Sequence, residues 1–173
     1  STLQMLYGRK AFPFSTINFL KGTEQPLHSD TIHFHSIPQL WMVGAWVAFE
    51  DMDDSNGTLR VVPGSHKWGT FDYGTLNFEH PDSIEDGYTK NYAKYEHFVR
   101  SLIETKKAKE IAVNIKKGQA LIWASNLLHG GIPIKDTSRT RKSQAMHYFF
   151  EGCQEYYSPM FSSPFSGNYA SKW

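Results

Sequence analysis

The residues with the types and spacing to do chemistry lie in two short segments far apart in the chain, His28-Ser29-Asp30 and His129-Gly130-Gly131, with Arg141 at the start of an apolar run soon after the second. Two imidazoles and one carboxylate can hold one face of an iron(II) ion and leave its other positions open, the arrangement that non-heme oxygenases need. His28 and Asp30 are separated by one residue, so on an extended strand their side chains share a face. His129 would come from a distant strand that folding brings alongside. It follows a hydrophobic run and precedes two glycines, which remove side chains beside a metal and leave room for a co-substrate.

Two rivals are visible at the level of residues. His33-Phe34-His35 has the same parity and two imidazoles, but its nearest downstream glutamate is Glu50, so rim positions near a pocket mouth are the expectation for this pair. His66 competes as third ligand, although it sits in the turn Pro63-Gly64-Ser65-His66, where a turn-stabilising hydrogen bond accounts for it.

The elements that must position these groups are mostly strands. At 173 residues, 40% hydrophobic and 15% aromatic, the chain suits one domain (1–173) with a β-rich core and an aromatic-lined cavity. Phe12 to Phe19 reads as a strand, its β-prone run Thr16 to Leu20 ended by Lys21-Gly22, with Pro26 just before the first metal segment. The almost continuous apolar run Trp41 to Phe49 predicts a strand buried on both faces. The acidic turn ending in Asn56-Gly57 predicts a hairpin with Thr58 to Val62 as the return strand. Between Tyr92 and Lys107, Tyr92, Tyr95, Phe98, Val99, Leu102 and Ile103 recur at helical spacing with charges mostly opposite. Ile111 to Ile115 and Ala120 to Trp123 predict a second hairpin turning at Lys117-Gly118, and Arg141 to Phe150 a last strand. Short strands with turn signals and one inserted helix point to a jelly-roll-type barrel or sandwich.

Charge and cysteine usage narrow the partners. Lys+Arg 18 against Asp+Glu 17 gives a net charge of +1, so no global field attracts nucleic acid or an anionic membrane, and a small-molecule substrate is expected. Cys153 is the only cysteine, which excludes an internal disulfide framework and fits a reducing compartment, with the cytoplasm as the expected location. No apolar run approaches the length of a membrane helix. The chain does not begin with Met and reads as strand from Phe12, so an absent upstream segment is part of the expectation.

Seven segments, in order, resemble the phytanoyl-CoA dioxygenase family, which includes ectoine hydroxylase: His28-Ser29-Asp30; Ala45-Trp46; Asn56-Gly57-Thr58-Leu59; Val61 through His66; Gly118 through Ile122; His129-Gly130-Gly131; and Arg141-Lys142-Ser143. The resemblance covers roughly Ile17 to Phe150 and implies a cupin-like double-stranded β-helix that uses Fe(II), 2-oxoglutarate and O2. By motif position it places the metal on His28, Asp30 and His129 and the distal carboxylate of 2-oxoglutarate on Arg141. It also implies Trp46 in the wall of the co-substrate pocket and Asn18 in contact with 2-oxoglutarate. Family members often carry serine where this chain has Gly131, so one hydrogen bond to the co-substrate is either lost or supplied by Ser143 instead. The loop from His129 to Arg141 is about one residue longer than is usual, which leaves Arg139 as a contender for the carboxylate.

The resemblance implies hydroxylation of a C–H bond of a small metabolite with release of succinate and carbon dioxide. The presence of Asp30 argues against halogenation, since related halogenases replace this carboxylate with a small residue. The competing class is a non-catalytic jelly-roll module binding a sugar-like ligand through Trp41, Trp68 and the Tyr156-Tyr157 pair. The insertion from about Asn77 to Lys109 is either a lid that sets substrate choice or a helix packed permanently on the barrel. His147 and Phe149 share strand parity with Arg141, with core packing as the expected role of both.

Overall fold

Nine strands occupy the residues described in the computed structural model, which are 1–78, 85 and 90–162. In chain order they are β1 (Ala11–Phe19), β2 (His35–Ile37), β3 (Met42–Ala48), β4 (Leu59–Val61), β5 (Ile111–Ala112), β6 (Ala120–Ala124), β7 (His129–Gly131), β8 (Ser143–Phe150) and β9 (Glu155–Tyr157). The four long strands form one antiparallel sheet in the order β1-β8-β3-β6. Facing strands form a three-stranded sheet, β5-β4-β7, and a pair, β2-β9. The architecture is a mostly β double-stranded β-helix of the jelly-roll type.

Strand alternation decides what reaches the interior. On β8, Ala145 and His147 face inward, opposite Ile17 of β1 and Trp46 and Gly44 of β3. Trp123 of β6 lies directly across from Gly44. The interior carries a core cluster of Trp46, Ala48, Met52, Leu59, Ile115, Trp123 and Ala145. On the opposite face of the large sheet, Leu3 and Tyr7 of a short helix α1 (Thr2–Tyr7) pack against Val43, Tyr148 and Phe150. That helix is capped by the Ser1 hydroxyl and ended by Gly8 at φ 70, a start and stop the sequence reading passed over.

Neither expected hairpin is one. β3 pairs with β6 and β8, while the run after Gly57 becomes β4 and pairs with β5 and β7. The turn at Asn56-Gly57 carries the chain from one sheet to the other, and Lys117-Gly118 carries it back. Both turn glycines take positive φ, 77 at Gly57 and 84 at Gly118. What differs is the partner: each run's apolar face is buried by the other half of the barrel, not by its neighbour in sequence.

The helix expected over Tyr92 to Lys107 is present as α2 (Tyr92–Thr105). Its apolar stripe buries Tyr95 and Val99 completely in a cluster with Leu27, Ile32, Val62, Tyr73, Leu128 and Met160. This portion of the insertion packs on the barrel through that stripe, while residues 79–84 and 86–89 of it lie outside the described residues. The Tyr95 hydroxyl accepts from the Ser29 backbone N–H at 2.9 Å and bonds the Ser29 hydroxyl at the same distance. Tyr95→Phe would leave a buried N–H unsatisfied between the two prospective ligands, at a cost of about 1–3 kcal/mol. Urea unfolding should show that loss; an unchanged midpoint would mean that water replaces the hydroxyl.

Candidate metal centre and its cavity

His28 and His129 meet across an isolated two-residue bridge, each donating its N–H to the other's carbonyl at 2.9 Å. That approach depends on the two glycines after His129. A Cβ on Gly130 would fall 2.7 Å from the Gln25 carbonyl, and one on Gly131 3.0 Å from Glu24. The glycines therefore admit the backbone of 24–26, which brings His28 into register; their bareness serves this contact before it serves any ligand. Asp30 is not on an extended strand. It opens a one-turn 3-10 helix (Asp30–Ile32) after Ser29 in β conformation, and this turn, not strand parity, swings its carboxylate toward His28.

The three ligand-type atoms lie within 4.8 Å of one another, and among the described residues no other group of three His, Cys, Asp or Glu converges this way. Asp30 Oδ1 is 3.9 Å from His28 Nε2 and 3.6 Å from His129 Nε2. These distances are too long for hydrogen bonds and short enough for one cation to bridge. Each histidine turns its Nδ1 to a backbone carbonyl, His28 to Pro26 at 2.9 Å and His129 to Leu127 at 3.1 Å. A carbonyl only accepts, so Nδ1 carries the proton and the neutral ring aims its Nε2 lone pair inward. The donor set fits a divalent iron-type ion.

Burial, reinforced by the charge of His129, pushes the His28 imidazole down to about 3. Burial also lowers His147. For Asp30 burial acts upward, but His129, His147, His28 and the Trp123 N–H outweigh it and hold the carboxylate below its usual range. Both depressed histidines would titrate near ~6.5 in the unfolded chain. Below that pH the unfolded state binds the extra protons, so the stability of chelator-treated protein falls as pH drops from ~6.5 toward the folded value. Urea titrations should lose on the order of 2 kcal/mol between pH 6.5 and 5 from His28 alone, with His147 and the likewise lowered His35 acting in the same direction. A flat profile over that range would contradict the burial argument.

The cavity beside these groups measures about 260 Å3 and is lined by Ile17, Phe19, Phe34, Trp46, Leu59, Trp123, Ala145, Gly130 and Gly131 around His28, Asp30, His129, Arg141 and His147. Arg141 is 1% exposed, its Nη1 reaches the Gly57 carbonyl at 3.3 Å, and its Nε has no partner. Its guanidinium sits over the rings of Phe19 and Trp46, 5.1 and 5.5 Å from their centroids. Burial lowers it to about 10, so it remains a cation at neutral pH. A buried, under-partnered guanidinium facing an apolar cavity suits an anionic ligand. Arg139, by contrast, lies on a loop with both Asp53 oxygens at 2.9 Å, the Ser55 hydroxyl in contact and the Asp51 carbonyl at 3.2 Å. It clasps the sheet-crossing turn and does not line the cavity.

Two expected co-substrate contacts fall elsewhere. Asn18 is exposed, and its Oδ1 accepts from Gln144 Nε2 at 3.0 Å. Alternation explains this, since Ile17 and Phe19 take the inner face of β1. Ser143 is buried on the inner side of β8 but does not line the cavity; its hydroxyl donates to the Arg141 carbonyl at 3.3 Å.

The rivals separate as well. His66 is exposed in its turn. His33 does line the cavity, with its ring stacked on Tyr92 at 5.4 Å, while His35 is a core residue bonded to the Tyr157 hydroxyl at 2.8 Å. The aromatics considered for sugar binding do not form a platform. Trp41 packs on Phe150 beneath Arg9, Trp68 sits under Lys106, and Tyr156 donates to the Phe150 carbonyl. Phe149 is core as expected, stacked on Phe14 at 4.0 Å. His147 is not: it lines the cavity with Nε2 3.8 Å from Asp30 Oδ2. Trp123 was legible only as an apolar strand residue, yet its Nε1 donates to Asp30 Oδ2 at 2.7 Å.

The profile of the phytanoyl-CoA dioxygenase family (PhyH) matches residues 6–143. Phytanoyl-CoA dioxygenase, peroxisomal, of Mus musculus is 30% identical over 134 residues, covering 78% of this chain and 36% of the mouse protein. The phytanoyl-CoA dioxygenase domain-containing protein 1 homolog of Dictyostelium discoideum is 31% identical over 134 residues, covering 76% and 42%. The matched part of the chain thus spans less than half the length of these relatives. Among solved structures, the non-heme alpha ketoglutarate dependent carbocyclase SnoK from nogalamycin biosynthesis superposes with a TM-score of 0.65 at 17% identity, covering 87% of this chain and 55% of SnoK. EctD from S. alaskensis with bound Fe gives 0.58 at 21% identity, covering 85% and 47%. At such identities the likeness is one of fold.

Proposed function

The chain belongs to the phytanoyl-CoA dioxygenase family, and on that premise we propose that it is a non-heme Fe(II)- and 2-oxoglutarate-dependent dioxygenase hydroxylating a C–H bond of a small metabolite. The observation that carries the reading is the combination, in one cavity, of three converging ligand atoms and a buried arginine without a carboxylate partner. A sugar-binding jelly roll has no need to keep both.

When bound, iron(II) with 2-oxoglutarate and dioxygen supplies oxidative decarboxylation to succinate and carbon dioxide, coupled to hydroxylation. The chain's part is to bind, orient and exclude water. His28 and His129 offer neutral Nε2 atoms held by their backbone carbonyls, and Asp30 Oδ1 offers the negative charge. Arg141 would take the distal carboxylate of 2-oxoglutarate, a reading supported by the rings of Phe19 and Trp46 beside its guanidinium, which keep water away and strengthen such a pairing. Phe34 and His33, with α2 behind them, form the side of the cavity left to a substrate. No described helix is long and apolar enough to cross a membrane.

Anaerobic reconstitution with Fe(II) followed by 2-oxoglutarate and oxygen tests the reading. Succinate should form slowly without a primary substrate and faster with the right one, so a metabolite screen for stimulated succinate release reads out both activity and substrate. Absence of iron binding together with saturable sugar binding would replace the enzyme by the binding module.

A further inference from the structure

We infer that Trp123 is a positioning residue that fixes the Asp30 carboxylate in a single orientation, and that Gly44 lacks a side chain in order to admit its indole. A carboxylate beside a cation can turn about its terminal torsion and offer either oxygen or both. Here the Trp123 Nε1–H donates to Oδ2 at 2.7 Å in a buried setting, which leaves Oδ1 toward the two histidines. A hydrogen bond of that length to an ionised acceptor is of the stronger kind. The same ring lies 4.7 Å from the His129 ring, so one side chain braces two of the three prospective ligands.

The indole reaches Asp30 by lying across β3. Gly44 is its register partner, and a Cβ there would fall 2.2 Å from Cε2 and 2.7 Å from Nε1 of Trp123. Contacts this short mean that the indole would have to move away from its present position, and with it the N–H that reaches Asp30. Gly44 is also the partner of His147 on the other side, whose Nε2 approaches the same Oδ2 at 3.8 Å. A glycine in the middle of a buried strand weakens it, and the indole's path explains why one stands there.

This inference rests on His28, Asp30 and His129 being metal ligands, and the test separates the two. Co(II) is titrated into the purified chain by calorimetry and visible absorption. Trp123→Phe keeps an aromatic ring and removes the N–H. It should weaken Co(II) binding about 10–100-fold, as loss of a contact that supports a ligand does, and alter the Co(II) absorption envelope as the carboxylate is freed to chelate. Gly44→Ala, which displaces the indole but leaves its N–H group intact, should move both readouts in the same direction. In the unsubstituted protein, NMR of indole-15N tryptophan should show a hydrogen-bonded, downfield N–H that shifts when Zn(II) is added and that is missing from the spectrum of Trp123→Phe. Parent-like Co(II) affinity and spectrum in Trp123→Phe, a loss of thermal stability alone, or no metal-responsive indole signal would each overturn the role of Trp123. Failure of the parent to bind Co(II) would overturn the ligand assignment beneath it.

Discussion

His129→Ala should abolish Fe(II)-dependent succinate formation from 2-oxoglutarate, while His66→Ala leaves it at the parental level. His129 Nε2 is one of three atoms able to share a cation, and its ring is 6% exposed with its Nδ1 committed to the Leu127 carbonyl. Alanine removes a donor that no neighbour can replace: His33 is stacked on Tyr92, and the His147 Nε2 approaches the carboxylate from its Oδ2 side. The loss in metal affinity should exceed the ~10–100-fold that follows from removing a supporting contact. His66 projects from an exposed turn, so its replacement touches nothing in the cavity. The pair is assayed for succinate and for Co(II) affinity. Retained activity in His129→Ala, or its loss in His66→Ala, would move the third ligand.

Arg141→Met should remove the dependence of thermal stability on 2-oxoglutarate without lowering the melting temperature of the ligand-free protein. The two halves of this expectation have one cause. In the ligand-free cavity the guanidinium is a buried cation whose Nε lacks a partner, and burial already depresses it to about 10. Replacing such a charge with an apolar chain of similar volume relieves desolvation. With 2-oxoglutarate present the sign reverses, because the ligand's carboxylate would lose its counter-charge in a dry site, at a cost on the order of 3–5 kcal/mol. The parent should gain roughly 2.7 kcal/mol of stability at a hundredfold excess of ligand over its dissociation constant, and Arg141→Met almost none at that concentration. Arg139→Ala provides the contrast. It should leave the 2-oxoglutarate response intact and loosen the Asp53 turn it clasps. A larger 2-oxoglutarate defect in Arg139→Ala than in Arg141→Met would exchange their roles.

Much of this was legible in the amino-acid sequence because it depends on residue type and local order. The two His-bearing segments, Arg141, the helical stripe from Tyr92 and the strand runs of β1, β3, β6 and β8 were all readable as patterns, as were the turns at Gly57 and Gly118. Strand pairing was not. Apolar runs joined by Asn-Gly or Lys-Gly look like hairpins, but in this fold each run finds its partner in another part of the chain, and a period of two records which face is buried without recording by what. The same limit governed the site. Parity suggested that His28 and Asp30 share a strand face, whereas a 3-10 turn and the close pass of residues 24–26 over Gly130 and Gly131 bring them together. Asn18 and Arg139 carried plausible chemistry, and alternation on β1 and the acid-rich turn at Asp53 took them out of the cavity. Trp123, Gly44 and His147 belong to three different strands, and nothing in their sequence neighbourhoods couples them to Asp30. Their relation exists only in the register of β6, β3 and β8, which is set by packing across the whole barrel.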